Sequence, residues 1–170
     1  VTTNILRGTD KKVLTKVGTV NTTAQVNNLN DSSIFFYTVA NGPTGHIEIT
    51  NHDDFYIPDN LTIEFSIYLD RTQNGTVGII EHDDQNGNYN IVQIFGGNFI
   101  QWKTSVGTVA SFTEIPLNQW SHIALTKYNN VAYIYMNGVR IGETTFSGNL
   151  PQISAPLNIG KVGSNFLISY

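Results

Sequence analysis

Leu61-Thr62-Ile63-Glu64-Phe65-Ser66-Ile67-Tyr68-Leu69 is the stretch from which the rest of the chain can be read. Leu61, Ile63, Phe65, Ile67 and Leu69 fall on one side of an extended backbone, and Thr62, Glu64, Ser66 and Tyr68 fall on the other. That two-residue period predicts a strand with one face on a core and one in solvent. A helix would need apolar residues every third or fourth position.

Outward from this strand, turn chemistry divides the sequence at short intervals. Ile91–Phe95 and Phe99–Thr104 flank Gly96-Gly97-Asn98, and Ser121–Tyr128 and Val131–Met136 flank Asn129-Asn130. Asn137-Gly138 then leads into Val139–Thr144. Asn and Gly tolerate the positive φ of tight hairpin turns, so each junction predicts an antiparallel hairpin. Upstream, Ser33–Val39 and His46–Thr50 are β-rich around the turn Asn41-Gly42-Pro43-Thr44-Gly45, with strand-like runs at Lys12–Lys16 and Thr23–Val26. No window carries the period of an amphipathic helix, and no repeat or linker divides the chain. The expectation is one all-β domain over residues 1–170, with 1–32 a less regular lead-in. Its architecture should be an antiparallel two-sheet jelly-roll sandwich of about 12 strands.

Composition narrows the function classes. A chain of 170 residues buries roughly 70% of its unfolded surface and needs no covalent staples. Cys is absent, which removes disulfides and thiolate metal sites. Charged residues make up 13% of the chain, so solubility rests on uncharged polar residues such as Asn and Thr. A net charge of -4 with no Lys/Arg cluster argues against nucleic acid and anionic membrane as partners. No apolar stretch approaches the roughly 20 residues of a membrane span.

Several segments together resemble the laminin-G-like domains of the concanavalin A-like superfold. Gly45-His46-Ile47-Glu48-Ile49 followed by Leu61–Leu69 is similar to the family's opening, with Ser66 where a Trp is frequent. Leu117-Asn118-Gln119-Trp120-Ser121-His122-Ile123-Ala124-Leu125-Thr126 resembles its W-x-H-I-A-L strand. Tyr133–Val139 resembles its N-G hairpin, and Pro156-Leu157-Asn158-Ile159-Gly160 a late strand. The matches run in order over residues 33 to 163. The Asn-rich, Cys-free character, with Asn21–Val26 ahead of the first clear strand, is most similar to domains of tailed-bacteriophage structural proteins.

That resemblance implies a non-catalytic adhesion or decoration domain on a virion surface or otherwise extracellular. Its partners would be a host-surface glycan or neighbouring virion proteins, met as a homo-oligomer or within a larger assembly. A purely structural assembly module and a secreted carbohydrate-binding module attached to an enzyme remain open as alternatives. Family members continue into a last strand where this chain reads Phe166-Leu167-Ile168-Ser169-Tyr170. The resemblance therefore implies a longer polypeptide, or a neighbouring chain covering an open sheet edge.

The superfold also includes glycoside hydrolases, one family of which carries Glu-x-Asp-x-x-Glu on a strand. Here Glu81-His82-Asp83-Asp84-Gln85-Asn86 places Asn86 where the second Glu would stand. Without a proton donor there the two-carboxylate mechanism fails, and no catalytic residue is expected. Calcium is the one cofactor the residues suggest, because Asp53-Asp54 and Asp83-Asp84 offer oxygen ligands; Asp83 and Asp84 are the better pair. Asp84-x-Asn86-x-Asn88 has the spacing of a calcium loop, but Tyr89 and Phe95 stand where an EF-hand needs Gly and Glu. Local turn stabilisation by Asp and Asn is the plainer reading.

His46 and His122 read as packed strand residues, whereas His52 and His82 each precede an Asp pair and could join a site. For a ligand surface, Gln101 and Lys103 share one face of their strand, and Gln93 can join them across the hairpin with Asn88 and Tyr89 nearby. Trp102 and Trp120 are expected as core anchors. Tyr68, Tyr133 and Tyr135 are better placed for partial exposure.

Overall fold

A computed structural model describes residues 2–7, 10–18, 20–23, 33–36, 45–73, 75–163 and 165–166. Eight strands form the larger sheet. In chain order they are β1 (Thr2–Arg7), β2 (Asp10–Val17), β5 (His46–Ile49), β7 (Val77–Asp83), β8 (Tyr89–Phe95), β9 (Phe99–Thr104), β10 (Gly107–Ala110) and β14 (Leu157–Ile159). In space they run β1-β2-β5-β14-β7-β8-β9-β10. The facing sheet orders β13 (Val139–Thr145), β12 (Val131–Met136), β11 (Trp120–Tyr128) and β6 (Leu61–Tyr68). Two short ribbons complete the described strands, β3 (Val20–Thr23) with β4 (Ser33–Phe36) and β15 (Lys161–Val162) with β16 (Asn165–Phe166). The two sheets together hold the expected twelve strands, and every strand pair within them is antiparallel. Among the described residues the one helix is a 3-10 turn at Asp53–Phe55, and none is long and apolar enough to cross a membrane.

The alternation read from Leu61–Leu69 holds. Ile67 and Leu69 are buried and Leu61, Ile63 and Phe65 half-buried, whereas Thr62, Glu64 and Ser66 on the other face are exposed and Tyr68 is half-buried. The core lies where this strand, β11 and β12 meet β7, β8 and β9, with Val92, Ile94, Ile100, Trp102, Ile123, Leu125 and Ile134 all at 0% exposure. Complete burial of such side chains supplies roughly 1.5–3 kcal/mol each against the cost of ordering them. A smaller cluster packs Val20 and Ile47 with Leu14, Ile49 and Ile159 beneath the other half of the large sheet.

The hairpin tips follow the turn chemistry. Asn129, Asn137 and Gly138 have positive φ at the β11–β12 and β12–β13 junctions, and Gly96 and Gly97 do at β8–β9. Of the expected strand Ser33–Val39, Ser33–Phe36 forms β4 and pairs with β3; residues 37–39, the turn residues 41–44 and residues 24–26 lie outside the described residues.

At one side the sandwich closes, since Phe112, just past β10, donates its N–H to Ile141 O of β13 at 2.8 Å. At the other side the small sheet ends at β6, which among the described residues pairs with β11 alone. Ile63 and Phe65 on its core side are only half-buried, whereas Leu125 and Ile123 directly beside them are fully buried.

Candidate functional site

The register assigns each candidate residue to a face. Trp102 pairs with Val92, Thr104 with Asn90 and Ile100 with Ile94, all pointing into the sandwich. Lys103 pairs with Ile91 and Gln101 with Gln93, so these four side chains lie on the outer face of the large sheet. Tyr89, two residues from Ile91, shares that face with Asp83, its partner on β7. The face expected from sequence is therefore assembled, with Gln93, Gln101, Lys103 and Tyr89 together on it.

Its components are not equally available. Gln93 is buried at 7% exposure, and its Nε2 donates to Oε1 of Gln101 at 2.8 Å. Gln93 is thus a support that orients the half-buried Gln101. Asn88 lies in the β7–β8 loop, where its amide donates to Asp84 Oδ2 at 2.9 Å. Its side chain closes that loop.

Asp84 is the centre of the turn. Its Oδ1 accepts from the backbone N–H of Asn86 at 2.8 Å and of Asn88 at 3.2 Å. The Asn88 side-chain amide, then these N–H groups, hold the Asp84 carboxyl below the ordinary carboxylate range. Asp83 Oδ1 accepts from the N–H of Gln85 at 2.6 Å, and Gln85 takes a positive φ there. The two carboxylates act as turn acceptors, and among the described residues no three or more His, Asp or Glu side chains gather as a metal cluster. Asp53 and Asp54 sit in the 3-10 turn, where His52 Nδ1 accepts from the N–H of Asp54 at 3.1 Å.

Glu81, first residue of the hydrolase-like run, points outward opposite Asn158 and Ile91. Its carboxylate accepts from Asn158 Nδ2 at 3.1 Å and from the N–H of Gly163, which ties the β15–β16 ribbon to the large sheet. His82 turns inward and is buried. A carbonyl can only accept, so His82 Nε2 carries the proton it donates to Ala155 O at 3.0 Å. The ring of Phe55 packs edge-on against His82, and burial lowers the histidine's pKa. His46 is buried on the outer side and lowered likewise, first by burial and then by Lys161.

Two expectations are corrected. Trp120 is not a core anchor: it pairs with Tyr68 on the outer face of the small sheet, and the rings meet edge-on at 5.8 Å. The alternation shows why, because the fully buried Ser121 takes the inward position. His122 is exposed on that same outer face, with Nε2 3.9 Å from Glu64. Trp102 does anchor the core, its ring 5.3 Å from Phe146 and its Nε1 donating to Asn90 Oδ1. Tyr133 and Tyr135 are half-buried on the outer face, with ring centroids 6.0 Å apart.

Comparison with known proteins agrees with the fold. No curated protein matches this sequence. Among solved structures, the crystal structure described as HCR/D-Sa-GBL1/C superposes with a TM-score of 0.64 at 15% identity, over 92% of this chain and 43% of that one. Domain 4 of AbnA, a GH43 extracellular arabinanase from Geobacillus stearothermophilus solved in complex with arabinotriose, gives a TM-score of 0.54 at 18% identity. That superposition covers 88% of this chain and 74% of the arabinanase domain. At such identities the likeness is one of fold. The sequence itself matches a family model over residues 41–166, and the chain belongs to the concanavalin A-like lectin/glucanases superfamily.

Proposed function

We propose that this protein is a non-catalytic recognition module that binds glycans, serving adhesion or decoration on a bacteriophage particle or another extracellular surface. The observation that carries the reading is the Gln93–Gln101 hydrogen bond at 2.8 Å. It fixes a planar amide on a rigid sheet next to Lys103, with Tyr89 farther along the same face. Oriented amides, a cation and an aromatic ring on a stiff scaffold suit sugar hydroxyls and ring faces, and little ordering remains to be done on binding. Asn88 and Asp84 hold the neighbouring loop in shape. Domain 4 of AbnA, bound to arabinotriose on a related fold, supports the ligand class, and a carbohydrate-binding module attached to an enzyme is the same chemistry in another setting.

Glu81, which opens the hydrolase-like run, is engaged by Asn158 and Gly163 as a structural acceptor, and no second carboxylate follows at residue 86. The half-buried Ile63 and Phe65 at the β6 edge favour a second reading, an assembly module whose open strand pairs with other subunits.

Glycan-array binding, in calcium and again in chelator, separates the two. The recognition reading expects reproducible binding that weakens when Gln101 and Lys103 are changed to alanine. Silence of the folded wild-type domain under both conditions would overturn it in favour of assembly.

A further inference from the structure

The outer face of the four-stranded sheet carries an arrangement that the surface around Gln101 does not. Solvent-facing positions of a half-buried strand ordinarily hold small or charged polar residues. Here Tyr133 and Tyr135 stand side by side on β12, with rings tilted 43° at 6.0 Å. Farther along the same face, Trp120 on β11 meets Tyr68 on β6 at 5.8 Å. The register sets Tyr135 opposite Ala124, four residues from Trp120 on β11. At about 3.3 Å per residue that separates the two aromatic pairs by about 13 Å. Each ring is half-buried, seated on the sheet with part of its surface open.

Among the described residues, the one cation beside the tyrosine rings is balanced by a carboxylate of its own strand. Arg140 Nη1 lies 2.7 Å from Glu143 Oε2, and its guanidinium sits 5.9 Å above the Tyr133 ring. His122 faces Glu64 at 3.9 Å. Such an arrangement leaves no unbalanced cation beside the rings to draw a polyanion, yet it offers donors and acceptors at both ends of the aromatic line. Tyr and Trp pay little conformational entropy on binding, and they concentrate at recognition surfaces for that reason.

We propose that this face is a second binding surface, an aromatic platform on which successive rings of an uncharged oligosaccharide stack. The Tyr133–Tyr135 pair forms one subsite and the Trp120–Tyr68 pair the other, with Arg140 and Glu143 hydrogen-bonding hydroxyls at the tyrosine end. Apolar faces of sugar rings meet the aromatic rings, and equatorial hydroxyls reach the flanking polar groups. The proposal rests on the glycan-binding reading and adds a location that the large sheet does not share.

The two tryptophans supply the measurement. Trp102 is sealed in the core at 0% exposure, so a ligand-induced change in tryptophan fluorescence reports on Trp120. The intact domain is titrated with arabinotriose, cellohexaose and mannohexaose, beside the variants Tyr135→Ala, Tyr135→Phe and Trp120→Phe, each checked for fold by circular dichroism. For whichever sugar binds, Tyr135→Ala should weaken binding at least tenfold, Tyr135→Phe should restore most of it, and Trp120→Phe should abolish the fluorescence change. Binding that survives Tyr135→Ala but is lost on Gln101→Ala would overturn the platform and leave the glycan reading in place. If no sugar binds the wild-type domain, here or on an array, both fail together.

Discussion

Gly142 of β13 lies directly against the carbonyl of Ala110 of β10, so close that a Cβ on the glycine would stand 2.7 Å from that oxygen. This contact is where the two sheets come within backbone reach, beside the Phe112–Ile141 hydrogen bond. The glycine is therefore a packing requirement of the closed side of the sandwich, not a turn residue.

The substitution Gly142→Ala should force the two backbones apart and destabilise the domain by about 1–3 kcal/mol. Urea denaturation would show this as a lower midpoint at unchanged slope. Gly148→Ala is the control, because a Cβ there meets nothing within 4 Å. Equal midpoints for the two variants would mean that β10 and β13 yield freely.

Much of this architecture was legible in the sequence because it rests on local chemistry. The two-residue period of Leu61–Leu69 and the Asn and Gly tips specify strands, faces and hairpins without any long-range information. The face shared by Gln101, Lys103 and Gln93 followed from the same alternation. What alternation does not give is which face an exposed-looking position meets once the sheets pair. Trp120 reads as core by hydrophobicity, yet the fully buried Ser121 beside it holds the inward position. Its charge alone would put Lys127 in solvent, yet it continues the inward series Ile123 and Leu125. It is 2% exposed, and its Nζ donates to the carbonyls of Asp59 and Asn129, closing the end of the sandwich. Asn98 reads as a turn residue, but it is buried and latches Gln73 and Ile115 across the chain. Such partners lie 17 and 25 residues away, beyond the reach of any local pattern.

Calcium should leave the melting temperature of the domain unchanged. Asp84 Oδ1 already accepts two backbone N–H bonds and Oδ2 accepts the Asn88 amide, so a cation would have to displace donors that hold the loop. Asp84→Ala should instead speed amide exchange at Asn86 and Asn88, with little effect on the core. Because the carboxyl's folded pKa lies below its ordinary 3.8, the loop's protection persists above that value and is lost as pH falls through the lower one. A calcium-dependent rise in melting temperature that Asp84→Ala removes would reverse this assignment and restore a metal role for Asp83 and Asp84.

Acid sensitivity should begin well above the carboxylate range, because His82 is buried as the neutral ring. Its Nε2–H is committed to Ala155 O at 3.0 Å, and Phe55 packs against it. Burial lowers its folded pKa below 6.5, while the Ala155 bond and the charge of Asp84 oppose that shift without cancelling it. In the unfolded chain the histidine titrates near 6.5, so below that value the unfolded state binds the extra proton first. The stability His82 contributes is therefore fully present above pH 6.5 and is lost as pH falls through the lower folded value. His46, lowered first by burial and then by Lys161 against the opposing pull of Glu48 and Glu81, adds to the same slope. Urea midpoints measured between pH 7.5 and 5 should fall for the wild type and fall less steeply for His82→Gln. The variant will start lower at pH 7.5, because it gives up the ring's packing, so the slope and not the intercept is the diagnostic. Parallel slopes would show that His82 takes up its proton without cost and that the acid response arises elsewhere.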